Sequence, residues 1–211
     1  MLLNFSKLYK KYNLNIKGII HIGAHYGEEI AEYASNKVKN VIFFEPISSS
    51  LKILEENLSH YADKINIDIF PYALGNDEKE VEMYVSNRDG MCSSILKPKI
   101  VLTQYPDITF ETREVVKMIC LDDAEIEFDN FNFLNIDVQG YELEVLKGSK
   151  NTLNNVEYIY TEINRDEVYE NTPHVEKLDE FLDTYGFCRV ETDWSGETWG
   201  DAFYTKGNIN V

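Results

Sequence analysis

The sequence predicts an α/β fold, a Rossmann-like, mostly parallel sheet with helices on both faces, and three observations predict it. Short apolar runs that read as buried strands (IKGIIHI, VIFF, INIDIF) alternate with amphipathic stretches in a βαβαβ order, which calls for parallel strands joined by right-handed crossovers. A glycine-bearing turn, HIGAHYG, follows the first run. The last two runs, FCRVETD and WGDAFYTK, flank a turn at SGE and read as an antiparallel hairpin closing the sheet. At 211 residues, 44% apolar and 13% aromatic, the chain has material for one domain with a sizeable core.

Each element has its own signal. Residues 1–13 (MLLNFSKLYKKYN) are amphipathic, with apolar positions alternating with lysines and no small-residue cleavage site after them. They read as a helix rather than a signal peptide. We therefore divide the chain into an N-terminal helical segment, 1–16, packed on a main domain, 17–211. Ile30, Tyr33 and Ala34 set helical spacing over 27–36, and serines after Pro46 cap a helix carrying Leu51, Leu54 and Leu58. KEVEMYVS (79–86) alternates like an antiparallel edge strand. The stretch 87–112 is polar and turn-rich; an irregular segment that long is either a substrate loop or a disordered insertion. EVVKMICLDD, FNFLNI (131–136) and VEYIYTEI (156–163) read as further strands. Between the last two lies a helix, YELEVLKG, stopped at Gly148 with Lys147 in its last turn. A helix over 173–185 opens at Pro173 and ends before Gly186.

Composition excludes whole classes of partner. Against 37 Asp and Glu stand 20 Lys and Arg, a net charge of −17, and the nearest approach to a basic patch is Lys7, Lys10 and Lys11. Such a surface repels polyphosphate and gains nothing from counterion release, so nucleic acid and anionic membranes are poor partners. No apolar run is long enough to span a bilayer. Cys92, Cys120 and Cys188 are odd in number and form no CxxC, which points to a reducing compartment, the cytoplasm.

In such folds ligands bind beyond the carboxyl ends of the strands, and candidate residues gather there. Gly23 and Gly27 let the first turn approach a ligand, although His25 stands where the dinucleotide fingerprint needs its second glycine. Glu45 ends the second strand, 18 residues past Gly27, where a carboxylate accepts hydrogen bonds from both hydroxyls of a ribose. Asp137, after FNFLNI, is a candidate base or amine ligand, or else a helix cap. Glu142 either satisfies free backbone N–H groups or faces the cleft, and Glu162 ends the next strand. Three carboxylates around one crevice suit a cationic ligand better than a pyrophosphate, favouring a sulfonium cofactor over NAD. His21 and His25 are four residues apart but in a turn, so no zinc site is expected, and Asp122-Asp123 reads as a turn rather than a magnesium site. Trp194 and Trp199 flank a turn, where stacking on a sugar competes with a plain core role.

FLNIDVQGYELEVLKGS (133–149), HIGAHYG, FFEP, YALGNDEKEVEMYVS, SSI and CLDD together resemble the FkbM family of S-adenosylmethionine-dependent methyltransferases, from about residue 17 to 205. The resemblance implies a seven-stranded methyltransferase sheet and S-adenosyl-L-methionine as cofactor, with no metal. It assigns His21, Gly23, Ala24, Gly27, Glu45, Pro46, Ala73 and Asp137 to the cofactor. The implied reaction is methyl transfer to a hydroxyl, often of a sugar, with Asp137, Glu162, Glu142 and His25 as candidate catalytic groups. Asp137 ranks first as the group nearest the reacting methyl. The chain departs from the family pattern at His21 and His25, where Asp and Asn are usual, and at Gln139, where Glu is frequent. The expected acceptor is a carbohydrate or glycoconjugate, neutral rather than a nucleotide sugar given the −17 charge. A small non-sugar metabolite, an NAD-linked oxidoreductase and a non-catalytic cofactor-binding module are the alternatives.

Overall fold

The computed structural model describes residues 2–207. Seven strands form the main sheet: β1 (Ile19–Ile22), β2 (Asn40–Phe44), β3 (Asn66–Phe70), β7 (Phe133–Ile136), β8 (Tyr158–Asn164), β9 (Phe187–Ser195) and β10 (Trp199–Lys206). Their order is β3-β2-β1-β7-β8-β10-β9. The pairs from β3 through β8 are parallel, and β10 runs antiparallel to both its neighbours, so the expected hairpin forms the sheet's last pair. Three strands of a smaller sheet, β4 (Ala73–Leu74), β5 (Lys79–Val85) and β6 (Thr112–Ile119), are ordered β4-β6-β5.

Strand alternation divides the core in two. Ile20, Ile22, Ile42, Leu134, Ile136 and Ile159 face one way. They meet α5 (Glu142–Lys147), α6 (Thr152–Asn155) and α7 (Val175–Asp183) through Val145, Leu153 and Leu178. On the other face Ile19, Val41, Phe43, Phe133 and Phe203 meet α1 (Phe5–Lys11), α2 (Ile30–Ser35) and α3 (Ser48–Ser59) through Phe5, Tyr33 and Leu54. The segment before residue 17 thus contributes Phe5, Leu8 and Tyr12 to the buried core. Burial at this depth contributes about 25 cal/mol per Å² of apolar surface, which makes these two layers the main stabilising term.

The boundaries of several elements differ from the periodicity. The first helix starts at Phe5, because the Asn4 side chain caps it by accepting from Lys7 N at 2.8 Å. Instead of starting at residue 27, α2 starts at Ile30; Gly27, at φ +73, keeps the turn going. EVVKMI lies in β6, in the small sheet and outside the main one. The stretch 87–112 is ordered, and not a disordered insertion: it holds α4 (Val101–Gln104), bridges Tyr84 to Ser94 and Pro98 to Tyr169, and buries Ser94, Ile108 and Phe110. Chain order reverses between β1 and β7, and the loops that leave their carboxyl ends at this switch point carry the site.

Candidate functional site

Past β1 the chain turns sharply at Gly23. Its N–H donates to Phe44 O at 3.0 Å, and its φ of +78 brings it so close to β7 that a Cβ would sit 1.9 Å from Asp137 O. Only glycine fits there. The turn and the ends of β2 and β4 surround a slot lined by Gly23, His25, Glu45, Pro46, Ala73 and Asp137, with Ile47, Leu74 and Met83 as an apolar wall.

Glu45 is 5% exposed and anchors this slot. Its Oε2 accepts from His25 N at 2.8 Å and its Oε1 from Ile47 N at 2.9 Å, so each oxygen keeps a further lone pair for a ligand hydroxyl. Burial pushes its carboxyl up to about 7, against the opposing pull of those two N–H groups. A carboxylate beside an apolar wall is the donor–acceptor set that a nucleoside requires, a ribose diol on one side and a flat base on the other. The slot encloses only about 60 Å³, however, against the several hundred typical of ligand pockets, and Gly90, Met91 and Ser93 of the 87–112 segment are part of its lining.

His25, at φ +48, links the turn to that segment. Its Nδ1 lies 2.8 Å from Glu28 Oε1 and its Nε2 2.9 Å from Asp89 O, with the ring stacked on Tyr26. Burial works to lower the imidazole's pKa, but the bonds to Glu28 and to the Asp89 carbonyl outweigh it and raise the value. Both partners are acceptors, so only the imidazolium satisfies both.

Next to the slot opens a second cavity of about 380 Å³. The two share Met91, Asp137 and Gln139. Glu162 lies at its floor side, Tyr105, Tyr169 and Trp199 supply aromatic surface, and Arg88 lies at its edge. Trp199 Nε1 donates to the Tyr105 hydroxyl at 3.2 Å, which fixes the two rings relative to each other. Val101 and Tyr105 come from the 87–112 segment, which therefore walls this cavity.

The candidate residues separate into those at the cavities and those behind them. Gly23, His25, Glu45, Pro46, Ala73 and Asp137 line the slot, and Asp137 and Glu162 line the second cavity. His21 lines neither: it is 2% exposed within β1, 3.3 Å from the Tyr33 hydroxyl and packed on Phe43, and burial lowers its pKa to about 4, leaving it neutral. Ala24 is buried and Gly27 packs against Leu54 and Leu58, so both shape the turn from behind. Glu142 takes the first of its two readings, accepting from Val138 N at 3.2 Å and Gly140 N at 3.0 Å. Burial pushes its carboxyl up to about 7. The cap position of α5 is Tyr141 rather than Asp137. Gln139, Tyr169, Tyr105 and Arg88 were not candidates; they converge from three loops, and apart from Gln139, noted only as a departure from the family pattern, nothing in their local sequence marks them. Trp194 is away from the site, with Arg165 stacked on it.

Among the described residues no helix is long and apolar enough to cross a membrane, and no group of three or more His, Cys, Asp or Glu is placed to hold a metal ion.

Comparison with solved structures bears out the fold. The chain resembles the ribosomal protein L11 methylase of Lactobacillus delbrueckii subsp. bulgaricus, with a TM-score of 0.54 at 12% identity over 96% of this chain and 77% of that one. It also resembles the magnesium protoporphyrin IX methyltransferase of Synechocystis, solved with bound S-adenosylmethionine, with a TM-score of 0.52 at 7% identity over 90% and 69% of the two chains. At these identities the likeness concerns the fold. In sequence it is 29% identical over 161 residues to the 2-O-methyltransferase NoeI of Sinorhizobium fredii, across 72% of this chain. That match spans 65% of the length of the Sinorhizobium protein. The methyltransferase FkbM domain matches residues 21–188, and with most of its length covered the chain belongs to the FkbM family of S-adenosylmethionine-dependent methyltransferases.

Proposed function

We propose that the protein transfers a methyl group from S-adenosyl-L-methionine to a hydroxyl of a sugar in a glycan or glycoconjugate. The observation that carries this reading is the 380 Å³ cavity beside the Glu45 slot, where an indole and two phenols face two carboxylates and an amide. Sugars present an apolar face of C–H groups and an edge of hydroxyls, and such a cavity meets both. The NoeI relative is named for transfer to an oxygen, in line with a hydroxyl acceptor.

In this reading Glu45 holds the ribose hydroxyls, and Ile47, Ala73 and Leu74 pack on the adenine. Asp137, shared by both cavities, lies beside the reacting methyl. The cofactor supplies an activated methyl on a sulfonium leaving group, so the chain's task is to align an oxygen with that carbon and to take up its proton. We place the protein in the cytoplasm, a reading supported by its free Cys92, Cys120 and Cys188.

Calorimetry with S-adenosylmethionine and S-adenosylhomocysteine, followed by incubation with labelled methyl donor and a panel of neutral glycans, tests the proposal. Label is expected in a neutral glycan. Absence of cofactor binding overturns the enzyme; label confined to non-sugar metabolites overturns the sugar.

A further inference from the structure

Gln139 occupies the left-handed region at φ +55, followed by Gly140 at φ +96, and this kink turns its side chain into the wall between the two cavities. Both hydrogens of its amide are committed: Nε2 donates to Asp137 Oδ1 at 2.7 Å and to Glu162 Oε2 at 2.9 Å. Its Oε1 lies 3.0 Å from the Tyr169 hydroxyl, whose one hydrogen is shared with Cys92 O at 2.8 Å. Two carboxylates, that of partly buried Asp137 and that of buried Glu162, are thus bridged by one neutral side chain.

Among the described residues Glu162 Oε1 is engaged only by Asn164 Nδ2, at 3.5 Å, and Glu162 lines the second cavity. Acidic groups surround it: Asp137 from the loop after β7, Glu142 from α5 and Asp201 from β10. Cys92 and Tyr169 face it from the loops, and Arg88 lies at the cavity edge. Burial first, and then those three carboxyls, raise its pKa well above the ordinary value. Such a cluster is comfortable with one negative charge fewer, or with one bound positive charge.

We propose that Gln139 is a positioning residue that aims Glu162 at the acceptor hydroxyl, and that Glu162 takes the hydroxyl proton as the cofactor's positive charge disappears. The inference rests on the methyl-transfer reading above. In the step, the acceptor oxygen forms a bond to the methyl carbon, the carbon–sulfur bond breaks with its electron pair left on sulfur, and the O–H proton passes to Glu162 Oε1. A sulfonium beside a carboxylate becomes a thioether beside a carboxylic acid. The net charge of the reacting pair is the same before and after, so the step adds no charge to the acidic cluster.

The consequence is readable without turnover. Glu162 is protonated in the free protein and with S-adenosylhomocysteine, and ionised with S-adenosylmethionine. Calorimetry at neutral pH in two buffers of different ionisation enthalpy counts the protons released by each ligand. S-adenosylmethionine is expected to release about one proton more than S-adenosylhomocysteine. Glu162→Gln is expected to abolish that difference, with thermal melting to confirm its fold. In Gln139→Ala both carboxyls lose a donor and hold protons more tightly, so the pH at which the difference peaks moves up by about one unit. A loss of packing alone weakens both ligands equally and leaves that pH in place. Equal proton release by the two ligands in the unaltered protein overturns the proposal, as does a difference that survives Glu162→Gln or a pH of maximum difference unmoved by Gln139→Ala. Failure of both ligands to bind overturns the cofactor reading itself.

Discussion

The Glu45 carboxylate fixes the turn through His25 N and Ile47 N, and under the proposed function its remaining lone pairs meet a ribose diol. Glu45→Gln keeps the size but turns one oxygen into a donor facing Ile47 N or His25 N. Hydrogen bonds to a charged group contribute about 1.5–3 kcal/mol, so S-adenosylhomocysteine affinity is expected to fall roughly 10- to 100-fold by calorimetry. Gly23 is a harsher position: with a Cβ 1.9 Å from Asp137 O, Gly23→Ala must push β1 and β7 apart at their carboxyl ends. A loss on the order of 3 kcal/mol in denaturant unfolding is expected, with no detectable cofactor binding. The place of these two residues at the slot was legible because the loops of a parallel sheet tie position to spacing along the chain. His21 was misplaced for an equally physical reason: as the third residue of β1 its side chain follows strand alternation onto the α1 and α2 face, toward Tyr33, whatever the following turn binds. Gln139 read as a missing base, since no spacing rule reports that its amide ends between Asp137 and Glu162.

At the scale of elements, the alternating and apolar runs announced every strand of the main sheet, whereas the sheet a strand joins was not announced. β6 has the composition of a core strand, but it pairs with β5 and β4, and that pairing depends on contacts tens of residues away. The 87–112 segment was legible only as long and polar. Its fold shows where it lies: Gly90, Met91 and Ser93 line the Glu45 slot, while Val101 and Tyr105 line the neighbouring cavity. One segment therefore borders both cavities, and His25 Nε2, 2.9 Å from Asp89 O, ties it to the turn after β1. With the cofactor in the slot as proposed, its entry is expected to require that bond to open. The imidazolium donates to both Glu28 and Asp89, and as pH rises through its raised pKa the neutral ring retains one proton for two acceptors. The latch weakens accordingly. Stopped-flow association of S-adenosylhomocysteine is expected to quicken with pH in the unaltered protein and to be fast and pH-independent in His25→Ala; a slower His25→Ala would show that the imidazole guides the ligand rather than bars it.

For the molecule as a whole, the same buried acids set how stability depends on pH. Glu45 and Glu142 are raised from 4.5 to about 7, and Glu162, Asp137, Asp201 and Glu29 are raised as well, burial being the largest cause in each case. A carboxyl whose folded pKa exceeds its unfolded one adds stability that is complete below about 4.5 and is lost as pH rises through about 7. Each such group changes stability by about 1.4 kcal/mol for every pH unit between its two values. His21 works in the opposite sense, because its value falls from 6.5 to about 4 and its neutral form is lost as acid is added. Above 6.5 the histidine no longer opposes the carboxyls, and the net charge of −17 adds self-repulsion in the same direction. The ligand-free protein is therefore expected to melt at its highest temperature near mildly acidic pH and to lose several degrees by about pH 8. Saturating S-adenosylmethionine brings a cation to the cluster and stabilises the ionised form, so its shift in melting temperature should grow as pH rises. S-adenosylhomocysteine, one charge poorer, should show a smaller growth. A ligand-free melting temperature that is flat or rising between pH 6.5 and about 8 would mean that the cluster relaxes or hydrates in solution. In that case the cofactor meets a site already ionised, rather than one that gives up protons to receive it.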